Sequence, residues 1–427
     1  MSRLRIRGHG PLQAHLRVQG SKNGSLPCLA ATLLHPGITV LDGVPMIQDV
    51  VTALKIMRAL GAEIKVEGNR VVVHAAQIKN TRIPAHFMKQ MRSSVIFMGA
   101  LLARCGEAEA VYPGGCVLGS RPINFHLDGF QKLGSQIKLQ DECICVQAKQ
   151  LTGTRITLPL PSVGATENLM LAATGAQGIT IIENAAREPE ILELAAFLRQ
   201  MGFDICGEGT SCIRIHGKQK TKDMEFTLAG DRIAAGTWLF CCMNTGGMIE
   251  LEHVPVDWMQ STLQVLRRMG AAITVESERL ICRAPDRIFP VSYLETAPHP
   301  GFPTDLQSPL LAVLCRACGN SRIRENIFSS RFRTADELGK MGACITIDQD
   351  QKQAWIQGRC HFHGAEVTAP DLRGGAALVI AAMGADGETI IDDFYHVQRG
   401  YESITDTIRI LGGETCWIGS KNEKQDG

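Results

Sequence analysis

The strongest constraint on the fold is an internal repeat of about seventy residues. Six of the Leu-Gly and Met-Gly pairs recur at a regular spacing, with steps of 73, 68, 68, 72 and 70 residues between successive glycines. The six glycines are Gly61, Gly134, Gly202, Gly270, Gly342 and Gly412. A fixed period of this length indicates one supersecondary unit that is copied along the chain. The sequence therefore predicts six copies of the same unit.

A second set of residues follows the same period and carries charged or hydrogen-bonding groups. Its members each precede an apolar helical run, and they are Lys22, Arg92, Ser162, Arg232, Asp305 and Arg373. The free N–H groups and the dipole of a helix N-terminus attract anions. We therefore expect six helix starts that carry anion-binding and acid or base groups.

The first copy indicates what one unit contains. The predicted elements are a strand at 16–18, a helix at 26–34, a strand at 38–41, a helix at 50–60 and two strands at 63–66 and 70–74. The first helix is apolar on every side, which is typical of a buried helix, whereas the second is amphipathic and stops at Gly61. Three such units can enclose three buried helices with their sheets outside. The predicted fold class is therefore α/β.

Six units predict two similar domains, because a chain of 427 residues is too long for one compact core. We expect an N-terminal domain at 21–229 and a discontinuous C-terminal domain formed by 1–20 and 230–427. The first strand of a unit precedes its helix, so residues 1–20 are expected to pair with the last unit. The chain then crosses twice between the domains, and ligand sites favour the cleft that such an arrangement creates.

Composition excludes several classes of function. Lys and Arg number 44 and Asp and Glu number 43, so the chain lacks the basic footprint of a general nucleic-acid or membrane-surface protein. There is no apolar run of roughly eighteen residues that could span a membrane, and the basic start lacks the apolar stretch of a signal peptide. The fifteen cysteines show no paired Cys-x-x-Cys segments of the kind that hold a metal ion, so reduced thiols in the cytoplasm are expected rather than disulfides.

Because the charges balance overall, an anion site has to be local. Six cationic residues lie in loops or at predicted helix starts: Lys22, Arg92, Arg121, Arg331, Arg373 and Arg399. A single arginine of this kind is usually a solvated surface charge. Six at related positions favour a doubly anionic ligand, because guanidinium groups match the oxygen atoms of carboxylates and phosphates.

Cys116 differs from the other cysteines in its surroundings. It lies in the segment Tyr112-Pro113-Gly114-Gly115-Cys116-Val117-Leu118-Gly119-Ser120-Arg121-Pro122, where the other units carry a strand and a short turn. A thiol beside an arginine in a polar loop is expected to react, either as a proton donor or as a nucleophile.

Asp305 follows a loop that contains three prolines, and we expect it at a helix N-cap. Capping alone accounts for an Asp there, and a general base is a comparable interpretation. The histidines, including His126 and His299, show no metal-ligand spacing. Neither a metal ion nor another cofactor is expected.

Several of these segments resemble one known family. They are Gly20-Ser21-Lys22-Asn23, Pro113-Gly114-Gly115-Cys116, Gly119-Ser120-Arg121-Pro122, Pro161-Ser162-Val163-Gly164-Ala165-Thr166-Glu167-Asn168, Glu183-Asn184-Ala185-Ala186-Arg187-Glu188-Pro189-Glu190, Pro300-Gly301-Phe302-Pro303-Thr304-Asp305 and Arg399-Gly400-Tyr401-Glu402. They are similar to segments of the UDP-N-acetylglucosamine 1-carboxyvinyltransferases. The resemblance runs in register from about residue 4 to about residue 415. The resemblance implies the two-domain inside-out α/β barrel of the enolpyruvyl transferases, with three repeats in each domain.

The resemblance also implies an activity and its partners. The family transfers the enolpyruvyl group of phosphoenolpyruvate to the 3-hydroxyl of UDP-N-acetylglucosamine and releases phosphate. This is the first committed step of peptidoglycan synthesis, in the bacterial cytoplasm. The implied partners are these two substrates, without nucleic acid or membrane, and the implied state is a monomer or a weak homo-oligomer.

Individual roles follow from the matching motifs. Cys116 matches the thiol that delivers a proton to the substrate methylene and is the target of the epoxide fosfomycin, and Asp305 matches the group that binds and deprotonates the sugar hydroxyl. Lys22 and Arg399 match phosphate ligands with catalytic roles. The residues implied to bind phosphoenolpyruvate are Lys22, Asn23, Arg92, Arg121, Arg331, Arg373 and Arg399. The residues implied to contact the nucleotide sugar are Asn23, Arg92, Arg121, Pro122, Ile123, Asn124, Phe125, Ser162, Val163, Gly164, Asp305 and Ile327.

The chain departs from the family at a few positions, and alternatives stay open. Asn124-Phe125 replaces the usual Asp-Leu, and Ser330 replaces an Asn, so a paralogue acting on another nucleotide sugar is one alternative. The sister enzyme, 5-enolpyruvylshikimate-3-phosphate synthase, lacks the cysteine loop and begins its first helix with Asp-Lys-Ser, whereas Asn23 follows Lys22 here. A non-catalytic scaffold of repeats would need a basic inner surface and would tolerate the loss of Cys116.

Overall fold

The computed structural model describes residues 2–114, 123–140, 142–328 and 330–419. The chain divides into two compact units after Gln19 and after Ala229. The N-terminal unit contains the described residues from 20 to 229, and the C-terminal unit contains those up to 19 and from 230 onward. No helix in these ranges is long and apolar enough to cross a membrane.

The elements follow one another in a regular order. The strands are β1 (Arg3–Arg7), β2 (Leu12–Arg17), β3 (Ile38–Asp42), β4 (Glu63–Glu67), β5 (Arg70–His74), β6 (Glu107–Val111), β7 (Gln136–Gln140), β8 (Cys143–Gln147), β9 (Arg155–Thr157), β10 (Ile179–Glu183), β11 (Asp204–Cys206), β12 (Cys212–His216), β13 (Met224–Thr227), β14 (Gly247–Glu252), β15 (Ala272–Glu276), β16 (Arg279–Arg283), β17 (Leu294–Glu295), β18 (Ser321–Arg324), β19 (Cys344–Asp348), β20 (Gln353–Gln357), β21 (Glu366–Thr368), β22 (Glu388–Asp392) and β23 (Glu414–Ile418).

The α-helices are α1 (Lys22–Thr32), α2 (Gln48–Leu60), α3 (Ala85–Gln90), α4 (Phe97–Cys105), α5 (Asn124–Lys132), α6 (Val163–Thr174), α7 (Pro189–Met201), α8 (Arg232–Thr245), α9 (Gln260–Arg268), α10 (Gln307–Leu314), α11 (Thr334–Lys340), α12 (Leu372–Met383), α13 (Tyr395–Gln398) and α14 (Ile404–Ile410). Short 3₁₀ turns lie at Arg92–Ile96, Val256–Met259, Thr304–Leu306 and Arg331–Arg333.

Each unit is an inside-out α/β barrel, with its apolar helices buried and its sheets around them. In the N-terminal unit the sheets run β13-β3-β5-β4, β6-β8-β7 and β11-β12-β10-β9 around α1, α4 and α6. In the C-terminal unit they run β21-β22-β1-β23, β15-β16-β14-β2 and β17-β18-β20-β19 around α8, α10 and α12. The fold class predicted from the repeat is confirmed.

Strand β1 completes the sheet of the last repeat, as predicted for the start of the chain, but the strand predicted at 16–18 overlaps β2, which pairs with the fourth repeat instead. Strand β1 lies antiparallel between β22 and β23, with Leu4 opposite both Ile391 and Trp417. Strand β2 pairs in parallel with β14, and β13 pairs in parallel with β3. In each case a strand that precedes the first helix of one repeat completes the sheet of another repeat.

The first helix of each repeat is apolar on all sides and is buried, as expected. Every residue of α12 from Arg373 to Met383 is buried. The predicted boundaries need correction, however. Helix α1 begins at Lys22, four residues before the predicted start, because the Ser21 hydroxyl accepts a hydrogen bond from the Gly24 N–H at 3.0 Å. The cap allows polar residues to form the first turn.

The glycine period has a specific structural cause. Each repeat glycine follows the second helix of its copy and has a positive φ, and the values are 110° at Gly61, 98° at Gly134, 122° at Gly202, 100° at Gly270, 102° at Gly342 and 87° at Gly412. The residue after each glycine donates its N–H to the carbonyl five residues earlier, as Ala62 does to Met57 at 3.0 Å. This is the Schellman motif, in which a left-handed residue satisfies the last carbonyls of a helix.

We predict opposite effects for two glycine substitutions in the C-terminal unit. A Cβ at either Gly412 or Gly339 would meet no atom within 4 Å, but only Gly412 has a positive φ. Gly412→Ala should therefore lower the free energy of unfolding by about 1–2 kcal/mol through backbone strain alone. Gly339→Ala, inside α11, should raise it by about 0.5–1 kcal/mol. Urea denaturation of both variants measures the difference, and equal effects would contradict the left-handed helix stop.

Candidate active site

The N-terminal unit presents helix starts that are capped by uncharged groups. Ser21 caps α1, and the hydroxyl of Ser162 caps α6 by accepting from the Ala165 N–H at 3.4 Å. Because a hydroxyl carries no charge, it satisfies an N–H group without neutralising the positive end of the helix dipole. The predicted ligand Arg92 begins the 3₁₀ turn that leads into α4. These helix starts are suited to anions.

Lys22 is the first residue of α1, and its ammonium group is held in place. Its Nζ lies 3.0 Å from Oδ2 of Asp49, and the side chains are 13% and 4% exposed. Asp49 lies in the first turn of α2, where a carboxylate also favours the helix dipole. The predicted ligand Asn23 is the next residue of α1. Sequence reasoning missed Asp49, because nothing in the repeat pattern relates it to Lys22.

The nucleotide-sugar residues predicted in this unit lie at the starts of two helices. Ile123 precedes α5, whose first residues are Asn124 and Phe125, and Val163 and Gly164 are the first residues of α6. A surface depression of about 350 Å³ lies beside Phe125 and is also lined by Lys132 and Leu158. The predicted site residues Cys116, Arg121 and Pro122 lie outside the described residues.

In the C-terminal unit, Asp305 lies between two buried arginines. One carboxylate oxygen is 2.7 Å from the Arg331 guanidinium, and the other is 2.9 Å from that of Arg373. The two arginine side chains are 1% and 3% exposed, whereas Asp305 is 27% exposed. Charges as deeply buried as these arginines need a paired and hydrogen-bonded partner. The structure therefore brings together three of the residues predicted from the sequence.

The predicted N-cap position of Asp305 is wrong. The cap of the 3₁₀ turn is Pro303, and Asp305 is the second residue of the turn that precedes α10. Its carboxylate is directed at the two arginines. The residue types expected of a cap occur instead at α8 and α12, where Asp231 and Asp371 accept backbone N–H groups.

Tyr401 completes the surroundings of Arg373 and was not predicted as a site residue. Its hydroxyl lies 3.3 Å from Nη1 of Arg373 and 2.8 Å from the hydroxyl of Thr237. Burial raises the pKa of the tyrosine, so it stays a neutral hydrogen-bonding group. Burial alone would lower the pKa of Arg373, but Asp305 and then Tyr401 hold it raised. Arg373 is therefore a permanent cation.

The predicted residue Ile327 lies in a loop that a buried carboxylate shapes. Oε1 of Glu325 accepts the N–H groups of Ile327 and Phe328 at 2.8 and 3.0 Å. Both carboxylate oxygens of Glu325 lie 3.0 Å from the hydroxyl of Thr304, which precedes Asp305. Glu325 therefore couples the Ile327 loop to the Asp305 turn, and no pattern in the sequence indicated this residue.

Arg399 follows α13, in a segment that the start of the chain holds in place. Nε2 of Gln19 donates to the carbonyl of Gly400 at 3.0 Å, and the N–H of Glu402 donates to Oε1 of Gln19 at 2.8 Å. Burial, with Arg399 nearby, lowers the pKa of His396. Arg399 thus lies next to a histidine that is neutral at physiological pH.

Within the described residues, one group of side chains has a spacing suited to a metal ion: His15, Glu250 and Glu252, on β2 and β14. The guanidinium of Arg279 lies 2.7 Å from Glu250 and 3.8 Å from Glu252. This cation already pairs with both carboxylates. None of these residues belongs to the predicted site.

Comparison with known proteins identifies close relatives. The sequence model of one family, described as EPSP synthase (3-phosphoshikimate 1-carboxyvinyltransferase), matches residues 6–408. UDP-N-acetylglucosamine 1-carboxyvinyltransferase 1 of Caldanaerobacter subterraneus subsp. tengcongensis is 42% identical over 404 residues, which cover 95% of this chain and 96% of that protein. UDP-N-acetylglucosamine 1-carboxyvinyltransferase of Halorhodospira halophila is 40% identical over 97% of this chain and 99% of that protein.

Solved structures show the same fold at lower sequence identity. The enolpyruvyl transferase NikO from Streptomyces tendae superposes with a TM-score of 0.89 at 24% identity, over 98% of this chain and 99% of that one. EPSP synthase from Acinetobacter baumannii gives a TM-score of 0.77 at 20% identity, over 98% and 100% of the two chains. At these identities the likeness concerns the fold alone.

We predict that the Asp305 cluster contributes to the stability of the fold. Asp305→Asn removes the nearest counter-charge of two buried guanidinium groups and should lower the free energy of unfolding by roughly 2–3 kcal/mol, since Asp305 itself is partly exposed. Glu388→Gln is the matched control, because Glu388 pairs with Arg5 at 3.7 Å on the surface of the same unit. It should change stability by less than about 0.5 kcal/mol. Equal effects in urea denaturation would contradict the buried pairing.

Proposed function

Because the chain belongs to the UDP-N-acetylglucosamine 1-carboxyvinyltransferases, within the EPSP synthase family, we infer that it is an enzyme that transfers the enolpyruvyl group of phosphoenolpyruvate to the 3-hydroxyl of UDP-N-acetylglucosamine. Phosphate is the second product, and the reaction opens peptidoglycan synthesis. The observation that carries this conclusion is an identity of 40–42% that extends over at least 95% of both chains. We further propose that the enzyme works in the cytoplasm as a monomer or a weak homo-oligomer.

The reaction proceeds by addition and then elimination. The oxygen of the sugar hydroxyl bonds to the second carbon of phosphoenolpyruvate, the hydroxyl proton leaves, and another proton is added to the methylene carbon. The intermediate then loses a proton from the resulting methyl group and expels phosphate. Addition therefore requires a proton acceptor at the hydroxyl and a proton donor at the methylene.

We assign the proton acceptor to Asp305. Arg331 and Arg373 contact separate oxygens of the carboxylate, so its plane and direction are fixed before substrate binds. Such preorganisation places a reacting group without reorganisation during the reaction. The 27% exposure of the side chain leaves it accessible to a hydroxyl. The guanidinium groups also attract the carboxylate and phosphate of phosphoenolpyruvate.

We assign the phosphate contacts to Lys22 and Arg399, with Asn23, Arg92 and Arg121 as further ligands. The assignment of Lys22 is supported by its position at the start of α1, whose cap carries no charge. The contact with Asp49, which orients the ammonium group, also supports it. A lysine at a helix N-terminus adds a point charge to the anion-binding dipole. We assign the role of proton donor to Cys116, because the sequence motif around it matches that of the family.

Two alternatives are less well supported. The sister reaction on shikimate 3-phosphate shares the fold, but the relatives at 40–42% identity are named for UDP-N-acetylglucosamine. A non-catalytic scaffold would have no use for a carboxylate held between two buried guanidinium groups, which is costly to maintain without a function for it.

The substrate assignment predicts which acceptor releases phosphate. With phosphoenolpyruvate, UDP-N-acetylglucosamine should give steady phosphate release, whereas shikimate 3-phosphate should give none and other UDP-sugars much less. A colorimetric phosphate assay with mass analysis of the product makes the measurement. Turnover of shikimate 3-phosphate, or a higher kcat/KM for a different UDP-sugar, would overturn the assignment.

The assignment of Cys116 predicts that one substitution can preserve catalytic activity and still remove inhibition by fosfomycin. Cys116→Asp keeps a proton donor but has no soft nucleophile, so it should retain activity and resist fosfomycin. Cys116→Ser should lose alkylation and most of its turnover. Cys105→Ser, at an exposed cysteine of the same unit, is the control and should behave as the unsubstituted enzyme. An epoxide adduct found by mass spectrometry on a cysteine other than Cys116 would refute the assignment.

A further inference from the structure

Tyr401 is a buried tyrosine that several parts of the C-terminal unit hold in one place. The residue is 2% exposed, and its ring packs edge-on against Trp238 of α8, with 5.5 Å between the ring centroids. The side-chain amide of Gln19 hydrogen-bonds to the carbonyl of Gly400 and to the N–H of Glu402, the residues on either side of the tyrosine. Packing and backbone contacts together therefore fix the position of the phenolic oxygen.

The hydrogen bonds of Thr237 determine where the phenolic proton lies. Its hydroxyl donates to the carbonyl of Ile233 at 2.8 Å, and a hydroxyl has only one proton to donate. The Thr237 oxygen, which lies 2.8 Å from the hydroxyl oxygen of Tyr401, must then be the acceptor of that contact. Tyr401 therefore donates its proton to Thr237 and directs a lone pair at Nη1 of Arg373, 3.3 Å away.

This arrangement gives the guanidinium of Arg373 two acceptors of different kinds. Nη2 donates to Oδ2 of Asp305 at 2.9 Å, and Nη1 donates to the phenolic oxygen of Tyr401. Arg373 is 3% exposed, so an N–H group left without an acceptor on either side would be costly. The guanidinium is therefore held through both of its terminal nitrogens, on one side by a carboxylate and on the other by a neutral hydroxyl.

The neutrality of the second acceptor matters for Asp305. A second carboxylate in the place of the phenol would compete with Asp305 for the positive charge of Arg373. Burial raises the pKa of Tyr401, so its hydroxyl keeps its proton and adds no negative charge. The tyrosine thus satisfies one side of the guanidinium and leaves the charge of Arg373 to Asp305 and to an anionic substrate.

We propose that Tyr401 is a positioning residue for the transfer reaction, which holds the guanidinium of Arg373 and, through it, the carboxylate of Asp305 in the orientation for proton transfer. Thr237 acts in the same hydrogen-bond chain, because it fixes the proton of Tyr401. This inference rests on the proposed function, in which Asp305 accepts the proton of the sugar hydroxyl. A group that preorganises a reacting side chain acts on the rate, and a displacement of about 1 Å can lower a rate about a hundredfold.

The deciding variant is Tyr401→Phe, which removes one oxygen atom and keeps the ring that packs against Trp238. Its kcat should fall roughly ten- to hundredfold. KM for UDP-N-acetylglucosamine should stay the same, because the hydroxyl is directed at Arg373 and Thr237. Tyr293→Phe is the matched control and should leave both constants unchanged, since that hydroxyl contacts Glu295 at the surface of the same unit. An unchanged kcat in Tyr401→Phe, or a rise in KM alone, would overturn the proposal.

Thr237 provides an independent test, which applies even if Tyr401→Phe does not fold. Thr237→Val has nearly the same shape but offers Tyr401 no acceptor, so its kcat should fall as well. Thr237→Ser keeps the hydroxyl and should recover most of the activity that the valine variant loses. In the double variant Tyr401→Phe/Thr237→Val, kcat should be no lower than in the slower single variant, because both changes break the same hydrogen-bond chain. Losses that multiply, or a serine variant as slow as the valine variant, would contradict the role of this chain.

The pH dependence separates positioning from proton transfer by Tyr401 itself. A tyrosine that stays neutral and only orients Arg373 contributes no limb to the pH profile of kcat, so Tyr401→Phe should lower the profile without changing its shape. Loss of a limb would mean that the phenol transfers a proton and would overturn the positioning role. If the unsubstituted protein releases no phosphate from phosphoenolpyruvate with UDP-N-acetylglucosamine, the proposed function fails, and this inference with it. If it does release phosphate, the kcat of Tyr401→Phe decides the role of Tyr401 alone.

Discussion

A helix that is buried along its length still needs hydrogen-bond acceptors for the N–H groups of its first turn. In this chain, the residues that supply these acceptors determine how the candidate site is arranged. Each unit encloses three apolar helices whose starts require an acceptor from the preceding residues. Four of the six starts are capped by a side chain immediately before the helix: Ser21, Ser162, Asp231 and Asp371. The residues next to these caps, among them Lys22 and Arg373, are thereby placed at the polar end of a helix bundle.

The two units differ in the charge of these caps, and the difference suits two kinds of chemistry. In the N-terminal unit both caps are serines, so the helix dipoles stay available to an anion. In the C-terminal unit both caps are aspartates, and a third carboxylate, that of Asp305, lies between two guanidinium groups. The helix starts of the N-terminal unit are therefore suited to anions, whereas the C-terminal unit holds a carboxylate in a fixed orientation.

Burial makes the C-terminal cluster rigid. Arg331 is 1% exposed, and its guanidinium lies 2.7 Å from Asp305 and 3.9 Å from Asp371. Neither carboxylate can move away without leaving a buried cation partly uncompensated, which costs several kcal/mol. The same interactions that are required to bury the arginines thus keep Asp305 in one orientation, as the proposed role of proton acceptor requires.

The sequence by itself determined the repeat and the class of fold. These features depend on local rules: a glycine after a helix adopts a positive φ, an all-apolar helix is buried, and the strand before each helix has the same place in every copy. It also singled out Asp305, Arg331 and Arg373, which the structure brings into contact, but it placed Asp305 at a cap. The tertiary structure alone decided the contacts of Lys22 with Asp49, of Asn168 with His126 and of Arg373 with Tyr401. Their partners are 27, 42 and 28 residues apart in the chain, on elements whose relative packing no local spacing specifies.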